Sequence, residues 1–287
     1  MTAKILNQFR EEMKTHCLDV PGDLIADGKW QRCNATNKEH GHGKNDGRYV
    51  LHLDGVPCGL FINYTIDSEV RKWVYKRDQP LTDVEQRELA EKIKRNRREA
   101  SVLLEKERTK ARVEAKQLWD KSKPAWEQHP YCKRKGVRPT GLKMERRDSA
   151  SPLLVPVYDK ENKLVNIQFI ETDGRKHCIT GGPLRDCHYW IVKPNEVRSK
   201  TILVGEGWAT AKSTHDATKY AAIMCFGKDN LLSVAKWVRK QYPDHKIILL
   251  ADDDGGEGIA KANEAARAVD GLVAKPEFGK RSNFSTV

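Results

Sequence analysis

The stretch Thr201-Ile202-Leu203-Val204-Gly205-Glu206-Gly207-Trp208-Ala209-Thr210-Ala211 changes character twice. An apolar run gives way to a glutamate between two glycines, and helical character begins at Trp208. The same rhythm recurs downstream. Ala221 to Cys225 reads as a second strand, followed by Leu231, Leu232, Ala235 and Val238 at helical spacing. Lys246 to Leu250 reads as a third. Asp252-Asp253-Asp254 follow it directly, and Gly255, Gly256 and Gly258 lead into a helix predicted from Ile259 to about Val269.

Strands alternating with helices of this length predict right-handed crossovers and a parallel sheet that holds ligands beyond the carboxyl ends of its strands. Glu206 and the Asp252/Asp254 pair both fall at such ends. Two residues apart on an extended turn, Asp252 and Asp254 can face the same way while Asp253 points elsewhere. Carboxylates gathered at one edge repel one another unless a cation sits between them, and hard oxygen ligands suit Mg²⁺ or Mn²⁺.

Glu206-Gly207-Trp208-Ala209-Thr210-Ala211 resembles the Glu-Gly-Tyr-Ala-Thr-Ala motif of primases from conjugative plasmids and satellite phages. Together with Asp252-x-Asp254 it is similar to the Toprim domain shared by bacterial primases, topoisomerases of types IA and II, and some nucleases. The resemblance covers at least Ser151 to Phe278. It implies an α/β fold: a Toprim-type parallel sheet with flanking helices over residues 200–287, preceded by a small mixed α/β subdomain of the primase type over 124–199.

A chain of 287 residues suffices for one sizeable core and a second smaller one. A net charge of +12 favours a polyanionic partner, nucleic acid first. The seven cysteines are odd in number and contain no C-x-x-C pair, which fits reduced thiols in a cytoplasmic protein. No apolar run approaches the roughly 20 residues needed to cross a bilayer, so no membrane association is expected.

Residues 1–79 read as a β-rich module. Thr2 to His16 predicts an amphipathic helix, and Arg48 to Leu53 and Cys58 to Tyr64 predict strands joined through Asp54-Gly55. Trp30, Arg32, Lys38, Lys44, Arg48, Tyr64, Lys72, Trp73 and Tyr75 interleave basic and aromatic side chains. That mixture serves either nucleic-acid contact or simply a core. Cys33, His40, His42, His52 and Cys58 are zinc-ligand types, but their spacing matches no usual zinc pattern and zinc is not expected. Residues 80–123 form a charged segment opened by a Thr82/Glu85 capping box and closed by Pro124; one long helix or a broken pair fits it.

In primases of the family the subdomain preceding Toprim lines the active-site groove and binds template and nucleotide phosphates. Here Lys133, Arg134, Lys135, Arg175 and Lys176 are the matching candidates, among strands predicted at Leu153 to Val157, Leu164 to Ile170 and His177 to Thr180. Lys212 and Lys228, near the strand ends, are further phosphate candidates. The implied activity is synthesis of short RNA primers on single-stranded DNA from ribonucleoside triphosphates, with Glu206, Asp252 and Asp254 as catalytic and metal-binding residues. Related primases carry a further Asp-Phe-Asn-Asp motif. Here the chain reads Ser282-Asn283-Phe284-Ser285-Thr286-Val287, with Asn283 and Thr286 at the acidic positions. A catalytically weak or inactive Toprim protein that binds single-stranded DNA, or a Toprim nuclease, is therefore an alternative. No Walker-type loop occurs, so any unwinding partner is expected to be a separate replicative helicase.

Overall fold

Ile5, Phe9 and Met13 recur every four residues, and helix α1 (Thr2–Thr15) buries all three. This computed structural model describes residues 2–20, 22–37, 45–66, 69–77, 79–146, 148, 150–252 and 256–275. The chain divides into two compact units, Met1–Lys106 and Glu107–Val287.

In the first unit α1 is followed by β1 (Leu18–Asp19), β2 (Gln31–Ala35), β3 (Gly47–His52), β4 (Cys58–Asn63) and β5 (Arg71–Val74), which pair antiparallel in sequence order. Phe9 is the centre of the core, with its ring centroid 5.2 Å from Trp73 and about 6 Å from Tyr49 and Phe61. Trp73 and Tyr75 therefore serve the core, which decides for these two between the readings the sequence left open. Helix α2 (Asp83–Lys121) is unbroken over 39 residues. Its capping box forms as predicted: Thr82 N–H donates to Glu85 Oε2 at 2.9 Å, and Glu85 N–H to Thr82 Oγ1 at 3.3 Å. Within this unit Lys92 Nζ reaches Asp54 Oδ2 at 2.7 Å, and Asn96 is bonded to the buried His52 at 2.8 Å.

In the second unit Ala111, Ala115 and Leu118 of α2 pack on Leu154, Ile167 and Ile179. These belong to an antiparallel sheet with its connections: β6 (Lys123–Pro124), helix α3 (Pro130–Lys135), β7 (Lys143–Met144), β8 (Leu153–Tyr158), β9 (Leu164–Ile170) and β10 (Lys176–Cys178). The chain continues through β11 (Tyr189–Val192), β12 (Thr201–Gly205), α4 (Trp208–Thr218), β13 (Ala221–Met224), α5 (Leu231–Gln241), β14 (Lys246–Leu250), α6 (Glu257–Val269) and β15 (Leu272–Ala274). These strands form a sheet ordered β11-β13-β12-β14-β15. β13, β12, β14 and β15 run parallel, and β11 joins the edge antiparallel to β13. Ile202, Val204, Ile223, Ile247 and Leu249 face α5 and α6, while Met224 faces Trp208 and Ala211 of α4. Helices thus cover both faces, as a buried parallel sheet requires.

Among the described residues the fold is mixed α/β with three sheets. The antiparallel β11, the short β1, β2, β5, β6 and β7, and β15 add to the strands named from the sequence. Among the described residues no helix is long and apolar enough to cross a membrane.

A carboxylate edge flanked by lysines

Three parallel strands stop level with one another. Gly205 on β12 is paired with Met224 on β13 and Leu250 on β14, so Glu206, Cys225 and Ala251-Asp252 emerge at one edge. Glu206 and Ala251 each follow directly on the last paired residues of β12 and β14, and Asp252 comes one residue later; neighbouring strands lie about 4.8 Å apart. Cys225 N–H continues the ladder, donating to Gly205 O at 3.0 Å. A Cβ on Gly205 would lie 3.3 Å from Leu250 and 3.4 Å from Ala211, so the bare glycine lets α4 settle against the strand end.

Two observations bear on these carboxylates. Thr210 Oγ1, in the first turn of α4, donates to Asp252 Oδ1 at 3.5 Å. The thiol of Cys225 is pushed up to about 12, first by burial, with Glu206 and Asp252 both adding to the shift. A carboxylate from each of two separate strand-helix units therefore bears on one buried sulfur. The Cys225 thiol donates to Gly227 O at 3.2 Å, and the acidic side chains of this edge offer oxygen ligands. Such a donor set fits Mg²⁺ or Mn²⁺ better than a soft metal. Asp254 lies outside the described residues.

The predicted lysines and arginines divide. Lys176 belongs to the edge: a Cβ on Gly207 would sit 3.4 Å from its Nζ. Lys228, in the turn after β13, pairs with Glu257 at the start of α6 at 2.7 Å. Lys133, Arg134 and Lys135 are exposed on α3. Arg134 Nη2 donates to Thr172 O at 2.9 Å, and Arg175 Nε to Asp173 Oδ2 at 2.6 Å, so α3 and the β9–β10 turn are neighbours. Lys212 departs from expectation. It is buried, and its Nζ holds both oxygens of Asp216 at 2.5 and 2.6 Å. An aspartate four residues along the same helix was the available signal. Thr210 was missed as an Asp252 partner although it stands in the motif itself.

Of the weak zinc candidates, the two described cysteines do not come together. Cys33 is opposite Gly47 and Cys58 is opposite His52, at the two ends of β3. Five residues of strand is roughly 17 Å, too far for one ion. His40 and His42 lie outside the described residues.

The fold and this edge define a class of protein: an α/β sheet that presents acidic side chains beyond the carboxyl ends of parallel strands, where such sheets hold ligands. No family model matches the chain. It is 31% identical over 294 residues to a DNA primase TraC of Escherichia coli, an alignment covering 96% of this chain and 20% of that protein. A second Escherichia coli DNA primase TraC is 29% identical over 293 residues, covering 96% and 27%. The chain thus spans about a fifth to about a quarter of the length of these curated relatives. Among solved structures, the primase fragment of the bacteriophage T7 primase-helicase protein aligns with a TM-score of 0.40 and 17% identity, over 51% of this chain and 64% of that one.

Proposed function

We propose that this chain carries primase-type nucleotidyl transfer, joining ribonucleotides into short RNA primers on a single-stranded DNA template, and that residues 200–287 are a Toprim domain. The observation that carries the reading is the level ending of β12 and β14, with Glu206 and Asp252 within two residues of those ends and Lys176 Nζ over Gly207. The similarity of nearly the whole chain to proteins named DNA primase TraC supports it.

In the reaction a primer 3′-hydroxyl attacks the α-phosphate of the next ribonucleoside triphosphate, and pyrophosphate leaves. Negative charge gathers on phosphoryl oxygens, so the protein's task is positioning and charge stabilisation. Glu206, Asp252 and Asp254 would hold Mg²⁺ or Mn²⁺, which supplies Lewis-acid stabilisation when bound. Lys176 presents its ammonium to a phosphate at the same edge. Thr210 donates to Asp252 Oδ1 and so would help orient this carboxylate toward a bound ion. Glu206 either completes the ion's ligand set or takes the attacking hydroxyl's proton. A separate replicative helicase would supply the unwound template.

The test is a primer-synthesis assay with single-stranded template, labelled ribonucleotides and Mg²⁺ or Mn²⁺. Wild type should give short metal-dependent products that Glu206→Gln and Asp252→Asn abolish. Shortened template would identify a nuclease instead. Template binding with neither product would mark a protein that only binds the strand, with an affinity falling steeply in salt.

A further inference from the structure

Arg134 looks from the sequence like one more phosphate contact, yet its guanidinium points into the protein's own backbone. Nη2 donates to the carbonyl of Thr172 in the β9–β10 turn at 2.9 Å. The guanidinium carbon lies 5.8 Å from the centroid of the Tyr131 ring. The turn is seated on the same pair: Gly174 adopts φ +98, and a Cβ there would lie 3.4 Å from Arg134 Nη2 and 3.6 Å from Tyr131 Cε2. Tyr131 in its turn packs in one buried cluster with Trp208, their centroids 6.5 Å apart. Trp208 opens α4 directly after Glu206-Gly207. The circuit closes at Lys176, two residues past the seated glycine, whose Nζ comes back over Gly207.

We infer that Arg134 is a positioning residue: through the β9–β10 turn it fixes the ammonium of Lys176 above the carboxylate edge, and it does not itself hold a phosphate. The inference rests on the primase reading for its substrate, a ribonucleoside triphosphate, but the tether is a property of the free protein. A planar fork is needed to lie against an aromatic face while donating to a carbonyl, and lysine has no such fork. Charge alone would suffice for a phosphate contact.

The experiment measures binding of a non-hydrolysable ribonucleoside triphosphate analogue, with Mg²⁺, to the full chain and to Arg134→Gln, Arg134→Lys, Lys176→Ala and the Arg134→Gln/Lys176→Ala pair. Loss of one charge-assisted contact weakens binding by roughly tenfold. Arg134→Gln and Arg134→Lys should each approach the loss seen in Lys176→Ala, and the pair should be no worse than Lys176→Ala alone. Restoration by lysine, or a pair whose loss is the product of the single losses, would overturn the assignment. Hydrogen exchange of the ligand-free chain separates this from the primase reading. Arg134→Gln should speed exchange of the turn amides of Glu171 and Gly174, now bonded to Arg175 O at 2.8 Å and Glu171 O at 2.9 Å. Unchanged exchange there refutes the tether whether or not the nucleotide binds, whereas faster exchange without nucleotide binding refutes only the choice of substrate.

Discussion

Replacing Lys212 by methionine separates a structural lysine from a phosphate-binding one. The ammonium has a side-chain exposure of 8% and is gripped by both oxygens of Asp216, itself 42% exposed. Methionine keeps most of the buried stem, and the freed Asp216 rehydrates at the surface. The loss in Lys212→Met should therefore be about 1 kcal/mol or less. The reverse deletion is harsher. Asp216→Ala strands a buried ammonium without its counter-ion and should cost about 2 kcal/mol, an intact buried pair's penalty reduced for the exposed partner. Urea unfolding of both variants measures this asymmetry. Binding to single-stranded DNA supplies the second half. Each phosphate contact contributes a slope of about −0.7 in log K against log salt, so losing one would flatten the change between roughly 50 and 200 mM by about 2.6-fold. Lys212→Met should leave the slope unchanged. A flattened slope, or a Lys212→Met variant less stable than Asp216→Ala, would refute the assignment of this lysine to the helix.

Three further outcomes are expected. Gly59→Ala puts a Cβ 2.5 Å from Phe9 Cε2 and 3.0 Å from Val50 O; with the Phe9 ring fully buried, the variant should lose about 1–3 kcal/mol, and an unchanged urea midpoint would count against this packing. His188, stacked on Trp237 at 4.4 Å, is held down at about 4 chiefly by burial. The unfolded chain takes the proton first, so stability is full above about pH 6.5 and falls as pH drops toward 4, by about 2 kcal/mol between pH 7.5 and 5. A His188→Gln variant with the same pH slope would refute that. Finally, Thr210→Val should lower primer synthesis severalfold while leaving template affinity intact, because it releases Asp252 without removing a charge; equal rates in the two proteins would remove Thr210 from the site.

The sequence announced the strands whose apolar runs end in glycine or aspartate, since β12 and β14 lie within a residue of their predicted spans. It also announced the Asp54-Gly55 hairpin, where φ +62 at Gly55 meets the demand of the turn. β11 was hidden because Tyr189–Val192 is four residues with no alternation, and its partner lies some thirty positions later at Ala222–Met224. That Glu206 and Asp252 follow strands ending at one edge was legible because sheet topology puts strand ends together. The basic ones were not, because composition says how many cations a surface has and not which carboxylate or carbonyl each has met. Lys176, Lys212 and Arg134 are equally basic on paper, and their neighbours set them apart.

Glu206 and Asp252 hang just past the last rungs of the ladder, half-exposed, with no rung depending on either side chain. Swapping an oxygen for a nitrogen there opens no void and breaks no strand pairing. On the primase reading, a copy silenced at this edge would keep its shape and its grip on a template, and in a mixture it would obstruct working copies instead of merely diluting them.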